Sequence, residues 1–131
     1  MARRTESVIY LDTHIVVWLY AGLTEKLTTD AKEAIDNCDV YISQICRLEL
    51  QYLYEIGRIR ITPPKLIAAL SKAIDLKVSV CVFSEIVDEA LKIKWTRDAF
   101  DRLLVGEVRA RKASLITADE NIRTHFRQAV W

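Results

Sequence analysis

Four acidic residues sit where a folded chain would carry them inward or toward one edge. Asp12 directly follows the apolar run VIYL (8–11), and Asp119 closes LITAD (115–119). Glu49 lies within SQICRLELQYLYEIG (43–57), and Asp101 within WTRDAFDRLLVGE (95–107). At about 100° per residue, Glu49 falls on a helical face with Ile45, Leu48, Tyr52, Leu53 and Ile56, the side expected to be buried. Asp101 falls likewise in an arc with Phe100, Leu104, Val105 and Val108, while Asp98, Arg102 and Arg109 lie just outside it. Burying an unpaired carboxylate costs several kcal/mol, so such a group is normally neutralised, paired or bound to a metal.

Singly, each acid has a simpler reading. Asp12, Asp98 and Asp119 all stand where a helix can begin and can serve as N-caps. Glu49 can pair with an arginine, and Asp101 can bond the first turn of its own helix. Jointly they point further, because carboxylates converging in one pocket repel unless a divalent cation neutralises them. Hard oxygen ligands suit Mg²⁺ or Mn²⁺, which keep waters and accept phosphate oxygens. The chemistry implied is metal-assisted hydrolysis of a phosphodiester. No Ser–His–Asp or Cys–His arrangement competes; His14 and His125, the two histidines, read as surface or helix residues.

The elements that must position these acids follow from period and punctuation. VIYL (8–11) predicts a buried strand, residues 13–21 a helix stopped by Gly22, and TDAKEAIDN a second helix capped by Thr28 or Thr29. A strand is expected at 40–43, then the Glu49 helix from Ser43 or Gln44 to the stop at Gly57. Thr62 and Pro63 form a cap and first-turn pair for a helix over 64–75. Residues 78–82 predict a third strand, Ser84 a cap for a helix over 85–92, and residues 98–111 the Asp101 helix. SLIT (114–117) is a fourth strand, a short helix follows Asp119, and the terminal AVW adds a fifth strand. Strands alternating with helices predict a three-layer α/β/α sandwich with a central parallel sheet of four or five strands. Open parallel sheets bind ligands beyond the carboxyl ends of their strands, the edge where Asp12 and Asp119 should emerge.

Composition agrees with one soluble domain over residues 1–131. About half the residues are hydrophobic and 28% charged, an ordinary globular balance. A net charge of +1 gives no electrostatic argument for nucleic acid. Cys38, Cys46 and Cys81 are odd in number and lack C-x-x-C spacing, so reduced core thiols and a cytoplasmic location are expected. The start MARRTES leads into too short an apolar run for a signal peptide, and no stretch approaches the ~20 apolar residues of a membrane span.

LDTH (11–14), SQICRLEL (43–50), WTRDAFDRLLVGE (95–107) and LITADENI (115–122), in that order, resemble the acidic motifs of PIN domains, in particular the bacterial toxins of VapBC type. The resemblance runs nearly the whole chain, including the Val-Trp ending. It implies a parallel sheet between helices and a Mg²⁺- or Mn²⁺-dependent endoribonuclease acting on an RNA substrate, the toxin of a type II toxin–antitoxin system. It further implies a homodimer held inactive by a cognate antitoxin. Asp12, Glu49, Asp101 and Asp119 match the family's metal-binding and catalytic acids, with Asp98 an additional acid. Thr13 and Thr117 match hydroxyl positions beside them, where a hydrogen bond could orient a ligand. Two departures stand out: Ala99 replaces the proline of a common D-P-F-D, and Gly106-Glu107 replaces small residues, with Glu107 expected on the polar side.

Arg97, Arg102, Arg109, Arg111 and Lys112 could steer RNA phosphates or simply solvate a helix. Trp18 is expected in the core, as is the stripe Leu66, Ile67, Leu70 and Ile74, part of which could receive a partner's helix. The rival of a different class is a non-catalytic PIN-fold module that binds RNA or protein. A phosphoacceptor domain would need paired acids after the first strand and a lysine near the last, which LDTH and ITADEN lack.

Overall fold

The computed structural model describes residues 7–131; the basic stretch at 1–6, read above as no export signal, lies outside the described residues. The element order is β1 (Val8–Leu11), α1 (Thr13–Tyr20), a 3-10 turn (Thr24–Lys26), α2 (Thr29–Asn37), β2 (Asp39–Ile42), α3 (Gln44–Glu55) and α4 (Pro63–Ile74). There follow β3 (Lys77–Val78), α5 (Phe83–Ala90), α6 (Ala99–Ala110), β4 (Ser114–Ile116), α7 (Glu120–His125) and β5 (Ala129–Val130). All five strands are parallel, in the order β3-β2-β1-β4-β5.

The sheet is buried on both faces, which is why its central strands read as nearly continuous apolar runs. Alternation along β1 sends Ile9 and Leu11 to one side and Tyr10 to the other. On the first side they meet Ile15 and Val16 of α1, Cys46 and Leu50 of α3, and Leu66 and Leu70 of α4. On the second, Tyr10 and Leu115 meet Leu104, Val105 and Val108 of α6 and Ile122 of α7. The result is the expected α/β/α sandwich, with five strands.

The chain winds from β1 outward to β2 and β3, then returns to the other side of β1 to lay down β4 and β5. The helices that leave β1 and β4 therefore depart to opposite faces, opening a crevice between those two strand ends.

Several boundaries and faces differ from expectation. The third strand is only Lys77–Val78, and Val80 and Val82 beyond it are 88% and 60% exposed. Cys81 is accordingly half-buried outside the sheet, as is Cys38 outside the core proper; only Cys46 is a fully buried thiol. The fifth helix starts at Phe83 with Val82 as its N-cap, so Ser84 lies inside it and it ends at Ala90. On α3 the buried residues are Cys46 and Leu50, with Leu48, Tyr52 and Ile56 exposed. The helical wheel therefore chose the wrong face: the arc of Ile45, Leu48, Tyr52, Leu53 and Ile56 is half-buried or exposed, and a different apolar arc meets the sheet.

Glu107 is the sharpest correction. Expected on a polar side, it is 1% exposed, because α6 packs against α5 and α3 as well as the sheet, and Leu104 through Val108 are all buried. Gly106 makes the α5 approach possible: a Cβ there would lie 2.8 Å from the Ile86 carbonyl oxygen and 3.0 Å from the Ala90 nitrogen. Of the α4 stripe, Leu66 and Leu70 are buried while Ile67 and Ile74 are half-buried against the core. Trp18 is half-buried, with Trp131 at 6.2 Å and the Lys26 ammonium 5.3 Å over its ring.

Candidate active site

The crevice between the ends of β1 and β4 is lined by acids from both helical layers. Asp12 follows β1 directly and caps α1, its Oδ1 accepting the Thr13 N–H at 2.7 Å. Asp119 caps α7, accepting the Ile122 N–H at 2.9 Å, and Asp98 caps α6, accepting the Asp101 N–H at 3.0 Å. The simpler reading of these three as N-caps is therefore correct, and it does not compete with convergence, since a cap at a strand end is held at the ligand-binding edge.

Two fully buried threonines join the acids into one hydrogen-bonded path. The Thr117 hydroxyl donates to Asp12 Oδ2 at 2.6 Å and accepts the Asp119 N–H at 3.0 Å. The Thr13 hydroxyl donates to Glu49 Oε1 at 2.5 Å and touches Cys46 Sγ at 3.4 Å. Glu49 thus has a hydroxyl partner in place of the arginine that a structural role would favour. The path Glu49–Thr13–Asp12–Thr117–Asp119 spans α3, α1, the β1 end and the β4 end.

Electrostatics record the same convergence. Burial raises the Asp101 carboxyl to about 7, assisted by the charges of Asp98, Asp119, Asp12 and Glu49. Burial also raises Asp12, which the Thr117 hydroxyl and Thr13 N–H partly counteract. Glu49 is raised by burial, lowered by the Thr13 hydroxyl, and raised again by Asp12 and Asp98. Burial pushes the Cys46 thiol up to about 12, so it stays protonated beside them.

A cluster this acidic, with no guanidinium paired to it among the described residues, suits a hard cation. Among the described residues no three His, Cys, Asp or Glu side chains already stand close enough to share one ion. Mg²⁺ usually keeps several waters and is bound through only one or two carboxylates. Asp12, Glu49, Asp101 and Asp119 could hold such an ion, with Asp98 at the rim.

The sequence profile of the PIN domain family matches residues 9–126. The chain belongs to the PIN domain family. Among solved structures it resembles VapBC2 from Rickettsia felis bound to a promoter DNA fragment, with 17% identity and a TM-score of 0.63 over 89% of this chain and 92% of that one. A toxin–antitoxin complex from Klebsiella pneumoniae gives 16% and 0.66 over 94% and 96%. VapBC-1 from nontypeable Haemophilus influenzae gives 17% and 0.52 over 89% and 93%. A comparison with curated protein sequences finds no match. At these identities the structural likeness speaks for the fold, here a PIN domain.

The basic residues are placed unevenly around this PIN domain's acids. Arg97 is exposed immediately before Asp98. The Arg102 Nε points to the Ala90 carbonyl at 3.4 Å, and Arg109 pairs with Glu89 at 3.1 Å. Eleven residues past Asp98, Arg109 lies about 16 Å away along the helix axis. Arg111 donates to Ser79 Oγ at 2.8 Å and Tyr10 Oη at 3.3 Å and lies over the Tyr10 and Tyr41 rings, so it braces the fold. His125 stacks on Trp95 at 5.2 Å. His14, read from the sequence as a surface or helix residue, is exposed in the first turn of α1, where it lowers both Asp12 and Glu49.

Proposed function

We propose that this PIN domain is a divalent-metal-dependent endoribonuclease, the toxin of a type II toxin–antitoxin pair, acting through Asp12, Glu49, Asp101 and Asp119 with Asp98 beside them. The observation that carries the reading is the hydrogen-bonded path of acids at the β1–β4 crevice, with Asp101 raised to about 7 by burial and further by its acidic neighbours. A bound Mg²⁺ or Mn²⁺ would supply charge to stabilise phosphoryl oxygens and to acidify water. Thr13 and Thr117 orient Glu49 and Asp12, fixing which oxygens remain available to the ion. Arg97, and Arg102 more remotely, would guide RNA phosphates toward the crevice.

The toxin assignment draws support from structural neighbours that are themselves VapBC or toxin–antitoxin complexes, which also favours a cognate antitoxin as partner. The exposed Leu48, Tyr52 and Phe83 favour a homodimer, since contiguous apolar surface tends to mark an interface. Among the described residues no helix is long and apolar enough to cross a membrane.

The test is cleavage of a mixed cellular RNA pool by the purified protein with Mg²⁺, with Mn²⁺ and with EDTA, beside Asp12→Asn. Metal-dependent cutting that the substitution abolishes, with the fold intact, is the expected outcome. An Asp12→Asn variant that cuts as well as the parent would remove the assignment. Absence of cutting by partner-free parent protein would move the reading to a non-catalytic binding module.

A further inference from the structure

Beside Asp98, the end of α5 and the start of α6 leave a pocket of about 260 Å³. Its apolar walls are Val87, Leu91, Ala99 and Leu103, and the only charged side chains in its lining are Arg97 and Arg102. Val87 and Leu103 are half-buried and Leu91 is 62% exposed, so a hydrocarbon surface stands open to solvent between two guanidiniums.

The pocket adjoins the acid crevice. Arg97 and Ala99 are the two chain neighbours of Asp98. At about 100° per residue, Asp101, Asp98, Arg102, Ala99 and Leu103 follow one another around α6, so Arg102 stands between the acids and the apolar wall. Its Nε donates to the Ala90 carbonyl at 3.4 Å, tying the guanidinium across to α5, and it forms no ion pair among the described residues. Building on the nuclease reading, we propose that this pocket receives the base of a nucleotide next to the phosphate under attack, with Arg102 selecting guanine.

Charge, size and edge chemistry select that occupant. Two guanidiniums with no carboxylate in the lining suit a polyanion. An apolar side chain from a protein partner would cover the walls but leave both guanidiniums without acceptors. The volume is below the roughly 300–1,000 Å³ of sites that enclose a whole small molecule. It suits one ring system with sugar and phosphate outside, where the exposed Arg97 can meet the phosphate. Unstacked RNA bases pack on guanidinium planes and are read by hydrogen bonds at their edges. A guanidinium offers donors alone. Guanine presents O6 and N7 as two acceptors on one edge, whereas adenine and cytosine present an amino donor there, and uracil a single carbonyl.

The experiment has two arms, both on the full chain. In the first, GMP, AMP, CMP and UMP are titrated in Mg²⁺ and followed by NMR. GMP should saturably shift the methyl signals of Val87, Leu91, Ala99 and Leu103 and bind at least about tenfold tighter than the other three, within the range of one bidentate base contact. Arg102→Gln should erase that preference, and Leu91→Trp, which fills the pocket from an exposed position, should erase the shifts. If Arg102→Gln does not fold, the comparison of nucleotides on the parent still decides. In the second arm, the ends left by cutting a mixed RNA pool are sequenced: cuts by the parent should adjoin guanine, and Arg102→Gln should flatten that preference. Guanine-selective shifts without any cutting would support the pocket and remove the nuclease reading. Metal-dependent cutting with no base preference and no pocket shifts would overturn the pocket and leave the nuclease reading standing. Equal shifts by all four nucleotides, or shifts confined to Asp101 and Thr117, would overturn guanine selection. If Leu91→Trp breaks a dimer and leaves the cut sites unchanged, the pocket belongs to a second copy of this chain and the proposal falls.

Discussion

The crowding of the carboxylates should be measurable as stability that changes with pH, and Asp101→Asn isolates it. Asp101 rises from the ordinary 3.8 to about 7 in the folded chain, so between those values the native state holds a proton that the unfolded state has released. Stability rises with pH only where the unfolded state binds more protons; here the native state binds more, so rising pH destabilises. The penalty is absent below about pH 4, grows to pH 7 and is complete above it. At about 1.36 kcal/mol per unit, its upper bound is about 4 kcal/mol. Asp101 is half-buried and solvent screens part of the interaction, so about 1–2 kcal/mol is expected.

Asparagine keeps the shape and removes the charge. In urea or thermal unfolding of the metal-free protein in EDTA, Asp101→Asn should be more stable than the parent by about 1–2 kcal/mol at pH 8, or roughly 3–8 °C. The gain should shrink on acidification and vanish near pH 4. Millimolar Mg²⁺ at pH 8 should stabilise the parent more than the variant, since an ion that binds only the folded state adds to stability by mass action. A gain that does not vary with pH, or a loss at pH 8, would refute the claim that a buried carboxylate charge crowded by other acids destabilises this site.

Thr117→Val removes a buried hydroxyl that serves Asp12 and Asp119 together; a stability loss of about 1–3 kcal/mol and at least about tenfold slower RNA cleavage are expected from denaturation and kinetics. Gly106→Ala drives a Cβ against α5 backbone, and a loss of about 1–3 kcal/mol should appear in the urea midpoint. Arg109→Ala breaks an exposed ion pair with Glu89, so its unfolding free energy should change by less than about 1 kcal/mol, with cleavage within about twofold of the parent.

The parts of the fold legible in the sequence were those governed by local rules. VIYL and SLI read as buried strands because both their faces are covered, and the caps Asp12, Ser43, Asp98 and Asp119 were each visible before a helical run. Those caps are also site residues or their neighbours, so finding the helix starts located most of the crevice. The third strand failed by the same logic: VSVCV has strand composition, yet its ladder with β2 covers only Lys77 and Val78 and ends where the Ser79 N–H meets the Ile42 carbonyl, and pairing is not a local property.

Helix α3 and Glu107 mark the limit of amphipathic reasoning. A wheel assumes one apolar face and one polar face, with the apolar one inward. On α3 the sheet takes Cys46 and Leu50, while the second apolar arc sends Ile45 against the other core cluster and leaves Leu48, Tyr52 and Ile56 exposed. On α6 burial extends around several sides, and a carboxylate assigned to solvent is enclosed. Glu49 and Glu107 are both glutamates drawn inward on helices, and their surroundings separate them. Glu49 has a threonine hydroxyl and the charges of Asp12 and Asp98 near it, the surroundings of a cation site. Glu107 has the Ser43 hydroxyl on one oxygen, Tyr10 beside it and apolar side chains around it, the surroundings of a carboxylate held inside the fold. The same residue type thus stands in two different settings in one domain, and what distinguishes them is whether the neighbours include other acids or only hydroxyls and hydrocarbon.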